Sequence, residues 1–301
     1  REGERKAVYN QLIQRIHDHM HSFSKGQKLI ARYIEEHYDK VAFMTASKLG
    51  ATVGVSESTV VRFATEIGYN GYPGLQQAMQ EMIRSRLTTV QRLEITAGNI
   101  PERKLLDAVM NQDIDMIRRS LDEISKDEFY RAADAVVNAR HVYILGARSS
   151  LPLANFLAYY FKLLFDSVHL INSTSEAEIF EQMIHLSPED AVIGISFPRY
   201  SRKAVKAMRF ASDRGASTVA ITDSALSPMA EAATYLLRAR SDIASIVDSL
   251  VAPLSVINAF IVTVAIKKKD EVHENLQSLE RIWDDYGVYE KVDEKGIDTI
   301  G

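Results

Sequence analysis

The sequence predicts two folds in one chain: an all-α helix-turn-helix domain at the N-terminus, then an α/β domain with a five-stranded parallel sheet flanked by helices. Three observations carry this. Residues 7–90 keep apolar positions at spacings of three and four throughout. From about residue 141 short β-rich runs alternate with helical stretches, the pattern of βαβ units. A chain of 301 residues also exceeds the usual size of a single domain.

In the helical half, Leu29, Tyr33 and Ile34 share one face of a helix expected to end near His37 or Tyr38. The stretch Thr45–Ile67 follows, reading TASKLGATVGVSESTVVRFATEI. Ala46, Leu49, Gly50 and Val53 form one helical face, with Gly50 small enough for a second helix to cross closely. Gly54 tolerates the positive φ that a tight turn between helices needs. Val55 packs under that turn, and Ser56 is a suitable N-cap for the next helix. There Val60, Phe63, Ala64 and Ile67 fall at i, i+3, i+4 and i+7, an inward apolar stripe.

The face left outside carries Ser58, Thr59, Arg62 and Thr65, with Glu57 near the start. Hydroxyls and an arginine at the N-terminus of a recognition helix can meet phosphates and base edges in the major groove. Ser56, Glu57, Ser58, Thr59 and Arg62 are therefore the expected contacts to double-stranded DNA. Glu57 repels phosphate unless it accepts a hydrogen bond from a cytosine amino group. Tyr69 is a further candidate at the DNA backbone, although Tyr69 and Tyr72 can equally serve as packing residues. An ordinary helical hairpin with a wet polar face is the competing reading; turn glycine, cap, stripe and exposed Arg/Ser/Thr together favour DNA.

The run QKLIARYI at Gln27–Ile34, followed by TASKLGATVGVSESTVVRFATEIGYNGYPGL, resembles the N-terminal domain of the RpiR family of bacterial regulators. The resemblance covers about residues 20–85 and is closest over VSESTVVRF and IGYNGYPGL. It implies a dimer, or a dimer of dimers, that reads a palindromic operator near sugar-metabolism genes.

Residues 85–103 lose the helical pattern and include Gly98 and Pro101, so the connection between domains is placed there. Leu105, Leu106, Val109, Ile114, Ile117 and Leu121 then suggest a helix leading into the second half. The expected layout is residues 1–85 for the DNA-binding domain, 86–124 for linker and connecting helix, 125–286 for the α/β domain and 287–301 for a tail. Strands are expected at His141–Leu145, Val168–Ile171, Ala191–Phe197, Ser217–Thr222 and Tyr235–Ala239. Helices are expected at Pro152–Phe165, Glu176–His185 and Arg202–Arg214. Leu250–Ile266 has about 17 largely apolar residues before Lys267, Lys268 and Lys269. Pro253, Ser255, Asn258 and Thr263 within it favour a helix buried by a sheet or a dimer partner over a membrane span. A polar helix, Glu271–Tyr286, closes the domain.

Open α/β sheets bind ligands in loops at strand C-termini. Two such loops follow expected strands here: Gly146-Ala147-Arg148-Ser149-Ser150, and Ser196-Phe197-Pro198-Arg199-Tyr200-Ser201. A helix N-terminus offers free N–H groups and a favourable dipole to an anion, and serines with Arg148 or Arg199 would complete a phosphate cradle. Thr222, at a third strand end with Asp223 and Ser224, can address sugar hydroxyls. Ser and Gly after a strand are also common turn residues and helix caps; two such loops, each with an arginine, favour an anion site. The candidate ligand residues are Arg148, Ser149, Ser150, Ser196, Arg199, Tyr200, Ser201 and Thr222.

This half resembles the SIS (sugar isomerase) domain over about residues 125–270, which implies binding of a phosphorylated sugar. Carried over by position, Ser149 and Ser150 match the first loop's Ser/Thr-Ser, and Ser196 and Ser201 match the outer hydroxyl positions of the second. Pro198 and Arg199 depart from the family, standing where its second Ser and Gly would be.

The net charge of −4 argues at first against a nucleic-acid partner, but its distribution does not. Residues 1–90 hold 12 Lys and Arg against 9 Asp and Glu, leaving the acidic excess to the remainder. Four of the eight histidines (His17, His19, His21 and His37) lie in the same basic part. The absence of cysteine excludes disulfides, thiolate metal sites and a cysteine nucleophile. No H-E-x-x-H or dinucleotide fingerprint occurs, so neither metal nor cofactor is expected. The polar N-terminal stretch offers no secretory signal, the missing initial Met suggests a trimmed chain, and a cytoplasmic location is expected. The expected function is a non-enzymatic regulator whose operator affinity responds to a phosphosugar. The alternative is a phosphosugar isomerase or lyase, with a base drawn from Glu176, Glu178, Glu181 or His185. A constitutive DNA-binding protein whose α/β domain only dimerises is a third reading.

Overall fold

The computed structural model describes residues 12–83, 90, 93–94, 96–97, 100–173, 175–241 and 247–289. Expectations on residues 7–11, on much of the connection at 85–103 and on the tail from residue 290 lie outside the described residues. The chain divides into two compact units, with the main break between Leu105 and Leu106. That break falls inside the segment 86–124 read as linker and connecting helix.

The first unit is helical: α1 (residues 12–19), α2 (Lys25–Val41), α3 (Ala46–Val53), α4 (Glu57–Glu66) and α5 (Gly71–Ile83). Their apolar stripes meet in a core that includes Ile16, Ile30, Ile34, Leu49, Phe63 and Leu75. A capping box starts α2: the Ser24 hydroxyl accepts from the Gln27 N–H at 3.3 Å, and Gln27 Oε1 accepts from the Ser24 N–H at 2.9 Å. The Gln27 amide also donates to the Glu66 carboxylate, whose other oxygen takes the Ser22 hydroxyl at 2.9 Å. These bonds tie the C-terminal end of α4 to the start of α2.

Two expectations for α2 are corrected. Leu29 is 48% exposed, and Ile30 takes the buried place beside Ala31 and Ile34, so the stripe runs one residue later. The helix does not end at His37 or Tyr38; it passes one non-helical residue, His37 (φ −138°, ψ 30°), and resumes to Val41. Continuing the chain this way buries Val41 and Ala42 completely, an apolar gain that an earlier stop would forgo.

The α3–α4 turn depends on two glycines. Gly54 is left-handed (φ 76°, ψ 35°), and the Val55 N–H donates to the Gly50 carbonyl at 2.8 Å. A Cβ on Gly50 would lie 2.8 Å from the Val55 carbonyl oxygen. The close approach at Gly50 is therefore to the backbone of the turn.

The second unit begins with α6 (Leu105–Glu123) and α7 (Lys126–Val137). The βαβ series follows as β1 (Val142–Gly146), α8 (Leu151–Leu164), β2 (Val168–Ile171), α9 (Glu176–Gln182), β3 (Ala191–Ile195), α10 (Arg202–Asp213), β4 (Ser217–Thr222) and β5 (Tyr235–Arg238). Helices α11 (Val251–Lys267) and α12 (Lys269–Asp285) close it. The five strands form one parallel sheet in the order β2-β1-β3-β4-β5. Their side chains alternate between two cores, as the period of a strand requires. Ile144, Ile193 and Ile221 enter the layer beneath α7, α8 and α11, while Tyr143, Val192 and Ala220 enter the layer beneath α9 and α10.

Helix α11 buries Ala252, Pro253, Val256, Ile257, Phe260, Ile261 and Val264. Among the described residues no single helix is long and apolar enough to cross a membrane. In α6 the buried positions are Met116 and Ser120, and the apolar residues Leu106, Ile114 and Leu121 are exposed. The helix is fastened to the end of β5 by polar bonds: Glu123 accepts from the Arg240 guanidinium, and Ser120 accepts from the Arg240 N–H at 2.8 Å.

Substituting Gly50 by alanine is expected to destabilise the first unit by about 1–3 kcal/mol, because a clash with backbone cannot be relieved by changing a rotamer. Urea denaturation followed by helical circular dichroism checks this, and an unchanged midpoint contradicts the tight turn.

Candidate functional site

Two places bring together residues singled out from the sequence. The first is the N-terminal edge of α4. Ser56 caps the helix, its hydroxyl accepting from the Thr59 N–H at 3.3 Å and lying 2.9 Å from the Ser58 hydroxyl and 2.8 Å from that of Thr59. Burial of Val60, Phe63 and Ala64 turns the opposite face outward. Glu57, Ser58 and Arg62 are exposed there, and the Arg62 Nε donates to the Ser58 carbonyl at 3.3 Å. Glu57 sits in the first turn, where the helix dipole favours a carboxylate. The sequence reading left out Val61, which is 39% exposed beside Arg62.

Tyr69 does not join this edge. It lies beyond the C-terminal end of a ten-residue helix, about 15 Å along its axis from Ser56. Its ring is half-buried beneath the Arg15 guanidinium at 5.1 Å. Burial raises its phenol above the ordinary tyrosine value, and Arg15 partly offsets that. Tyr72 is a packing residue, its hydroxyl donating to the Val41 and Met44 carbonyls at 3.2 and 2.9 Å.

The second place is the C-terminal edge of the sheet, where β1 and β3 lie side by side with Gly146 opposite Ile195. The chain leaves β1 into α8 on one face and β3 into α10 on the other. Such a reversal leaves a crevice between the two outgoing loops. The β1 loop carries Arg148, Ser149 and Ser150, and the β3 loop carries Ser196, Arg199, Tyr200 and Ser201.

The two loops share a backbone feature. Arg148 (φ 57°) and Arg199 (φ 63°) are the two non-glycine residues with positive φ among the described residues. That conformation costs an L-residue roughly 1–2 kcal/mol, and strain of this kind collects at functional sites. Both side chains are exposed. Ser150 is 3% exposed at the start of α8, and no side chain caps that helix. A 3-10 turn over Arg148–Ser150 runs into it, so the Ser150 N–H donates to the Ala147 carbonyl, the Leu151 N–H donates to the Arg148 carbonyl, and Pro152 has none. The N–H groups that can meet an anion are those of Arg148 and Ser149, ahead of the turn. A Cβ on Gly146 would lie 2.7 Å from the Ser150 carbonyl oxygen and 2.9 Å from Ala154 Cβ, so glycine lets the helix start reach the strand end.

Ser201 has a structural duty as well, capping α10 by accepting from the Ala204 N–H at 3.5 Å. Thr222 is fully buried, and its hydroxyl donates to Asp223 at 3.3 Å. Asp223 also accepts the Tyr200 hydroxyl at 2.8 Å, which anchors the second loop to the end of β4. This strand end therefore supports the loop. Ser173 and Lys203, absent from the sequence reading, line a cleft with Gly146, Ala147, Ile179 and Ala207. A basic residue one position inside a capped helix start was the available signal for Lys203.

Comparison with known proteins agrees with this fold. A helix-turn-helix domain model of the rpiR family matches residues 10–86, and a SIS domain model matches residues 135–263. An HTH-type transcriptional regulator of Caldanaerobacter subterraneus subsp. tengcongensis is 25% identical over 87% of this chain and 93% of its own. The HTH-type transcriptional regulator RpiR of Escherichia coli K12 is 24% identical over 77% of this chain and 78% of its own. The chain belongs to the RpiR family of helix-turn-helix transcriptional regulators.

Two solved structures share the fold of this RpiR-family chain. The sugar isomerase domain of an RpiR transcription factor from Sphaerobacter thermophilus superposes with a TM-score of 0.56 at 27% identity, covering 59% of this chain and 99% of that one. The Vibrio vulnificus NanR protein, complexed with ManNAc-6P, superposes with a TM-score of 0.51 at 20% identity, covering 90% and 98%.

Of the four groups that could supply an isomerase's base, two are held in side-chain bonds and two are exposed. Glu176 pairs with Lys206 at 2.6 Å, and Glu178 accepts the Ser173 hydroxyl. Glu181 and His185 are exposed. The hydrogen bond from Lys206, aided by the charges of Lys206 and Lys203, holds the Glu176 carboxyl below the ordinary glutamate value. An acid–base catalyst needs the opposite shift, toward neutrality. The Glu176 pair contributes above the pKa of an unfolded glutamate and is lost as the pH falls through its lowered folded value. NMR titration of Glu176 is expected to give a midpoint below that of a free glutamate. A raised midpoint would revive the isomerase reading.

Proposed function

We propose that this chain is a cytoplasmic, ligand-responsive transcription regulator that acts as a homodimer or a dimer of dimers. The N-terminal edge of α4 enters the major groove of an operator, with Arg62, Ser58 and Thr59 toward phosphates and base edges. A phosphorylated sugar binds in the crevice between the β1 and β3 loops. Its phosphate rests on the β1 loop, with the N–H groups of Arg148 and Ser149 and the side chains of Arg148, Ser149 and Ser150, while Ser196 and Arg199 approach from the second loop.

The observation that carries this reading is the presence, at a strand-order reversal, of two outgoing loops that each hold a left-handed arginine and serines ahead of a helix. The ManNAc-6P held by the Vibrio protein is of the same ligand class. Ligand binding changes the placement of the two DNA-reading heads in the dimer. The fit to operator half-sites changes with it, and this coupling is reciprocal.

Titrating phosphosugars into a complex of the protein with a duplex selected from a random pool tests the coupling. At least one is expected to shift operator affinity about 5–150-fold. No response across hexose, hexosamine and acid phosphates would contradict the reading. Arg62→Ala is expected to weaken operator binding roughly 5- to 150-fold, the equivalent of about 1–3 kcal/mol. Fluorescence anisotropy on the same duplex measures this, and unchanged binding would remove α4 from the interface.

A further inference from the structure

The hydroxyls on the outward edge of α4 are bonded within the helix itself. That of Ser56 accepts the Thr59 N–H and lies 2.9 Å from the Ser58 hydroxyl and 2.8 Å from that of Thr59. The Thr65 hydroxyl donates to the Val61 carbonyl at 3.2 Å. Arg62 donates from Nε to the Ser58 carbonyl. That bond does not use the two terminal nitrogens of the guanidinium, the pair that can grip O6 and N7 of a guanine. The edge therefore presents two rows at i, i+4 spacing. One is polar, Ser58 and Arg62. The other runs Glu57, Val61, Thr65, with a valine at its centre.

Val61 is 39% exposed, whereas Val60, Phe63 and Ala64 of the same helix are buried. Neither the helix nor the core accounts for it. A β-branched residue is a poorer helix former than alanine, and methyl groups left in water gain nothing from burial. What the position gains is rigidity, because valine in a helix holds essentially one χ1 rotamer. Its methyl groups are fixed before any contact, so a partner meets them at little ordering cost. A lone exposed valine is ordinary on a protein surface. Its place one residue before Arg62, between Glu57 and Thr65, is what ties it to the duplex. In the major groove the apolar group on a base edge is the thymine 5-methyl, and seating one on the other removes both from water. Consecutive Cα atoms are about 3.8 Å apart and successive bases about 3.4 Å, so Val61 and Arg62 can address neighbouring base pairs.

We propose that Val61 reads the 5-methyl group of a thymine in the base pair next to the one that Arg62 meets. This inference rests on the reading of α4 as the operator-facing helix and adds to it a sequence requirement at one position.

Fluorescence anisotropy of the full chain tests it, on the duplex selected from a random pool with one thymine at a time replaced by deoxyuridine. At one thymine the loss of the methyl is expected to weaken binding about four-fold, the equivalent of one buried methyl. Val61→Ala is expected to shrink that ratio to below about two-fold while responding to deoxyuridine elsewhere as the wild type does. Alanine favours the helix more than valine, so the melting temperature of Val61→Ala is expected to hold or rise, which separates lost reading from lost folding. The sensitive thymine is expected beside the base pair whose exchange Arg62→Ala no longer senses; a sensitive thymine elsewhere would overturn the placement. No sensitive thymine, on a duplex that Arg62→Ala binds more weakly than the wild type, would overturn this inference and leave the operator reading of α4 standing. A ratio that survives Val61→Ala would overturn the assignment of Val61. Equal binding of the wild type and Arg62→Ala would overturn both readings.

Discussion

The second unit depends on the pairing of β1 directly with β3. Their register runs from Val142 opposite Ala191 to Gly146 opposite Ile195, with β2 displaced to the outer edge. Because the two strands hand the chain to opposite faces, nothing in the connectivity closes the space beyond their C-terminal ends. Packing reinforces the arrangement. Ile144 and Ile193 are buried under one helical layer, and Tyr143 and Val192 under the other. A slip of one residue would exchange those faces. The same pairing that builds the core thus sets the β1 and β3 loops against each other.

Backbone sign is a second theme, used differently in the two units. In the first, positive φ falls on Gly54, where it turns the chain between α3 and α4 without strain. In the second it falls on Arg148 and Arg199, where strain is accepted at the tips of facing loops. The glycine positions that matter for space, Gly50 and Gly146, have no such sign. Each is small because a carbonyl oxygen stands within 2.8 Å of where its Cβ would be. One unit presents a polar helix edge and the other two arginine-tipped loops, and both rest on close backbone approaches.

Much of this was legible in the residues, and the parts that were not have physical causes. Alternating β-rich and helical runs located all five strands to within two residues at each end, because burial on both faces leaves continuous apolar runs such as Ala191–Ile195. The Thr45–Ile67 stretch showed its turn, cap and stripe because each is a local effect. Register within α2 was harder: Leu29 and Ile30 are equally apolar neighbours, and only the packing of the bundle decides which is buried. His37 could not be foreseen as a single irregular residue, since the pull to continue comes from the burial of Val41 and Ala42. Lys203 was missed because its relevance arises only once β3 lies beside β1. The place of Thr222 at a strand end suggests a ligand contact, whereas its complete burial follows from the seating of β4 between β3 and β5, which only the folded sheet shows.

The central claim is that the two loops act as one binding surface because the sheet reverses between them. Hydrogen exchange of the backbone amides, measured with and without a saturating phosphosugar, tests it most directly. The account predicts slowed exchange both in the stretch from Arg148 to Leu153 and in the stretch from Arg199 to Ala204. Protection confined to one loop, or appearing only elsewhere in the chain, would contradict it.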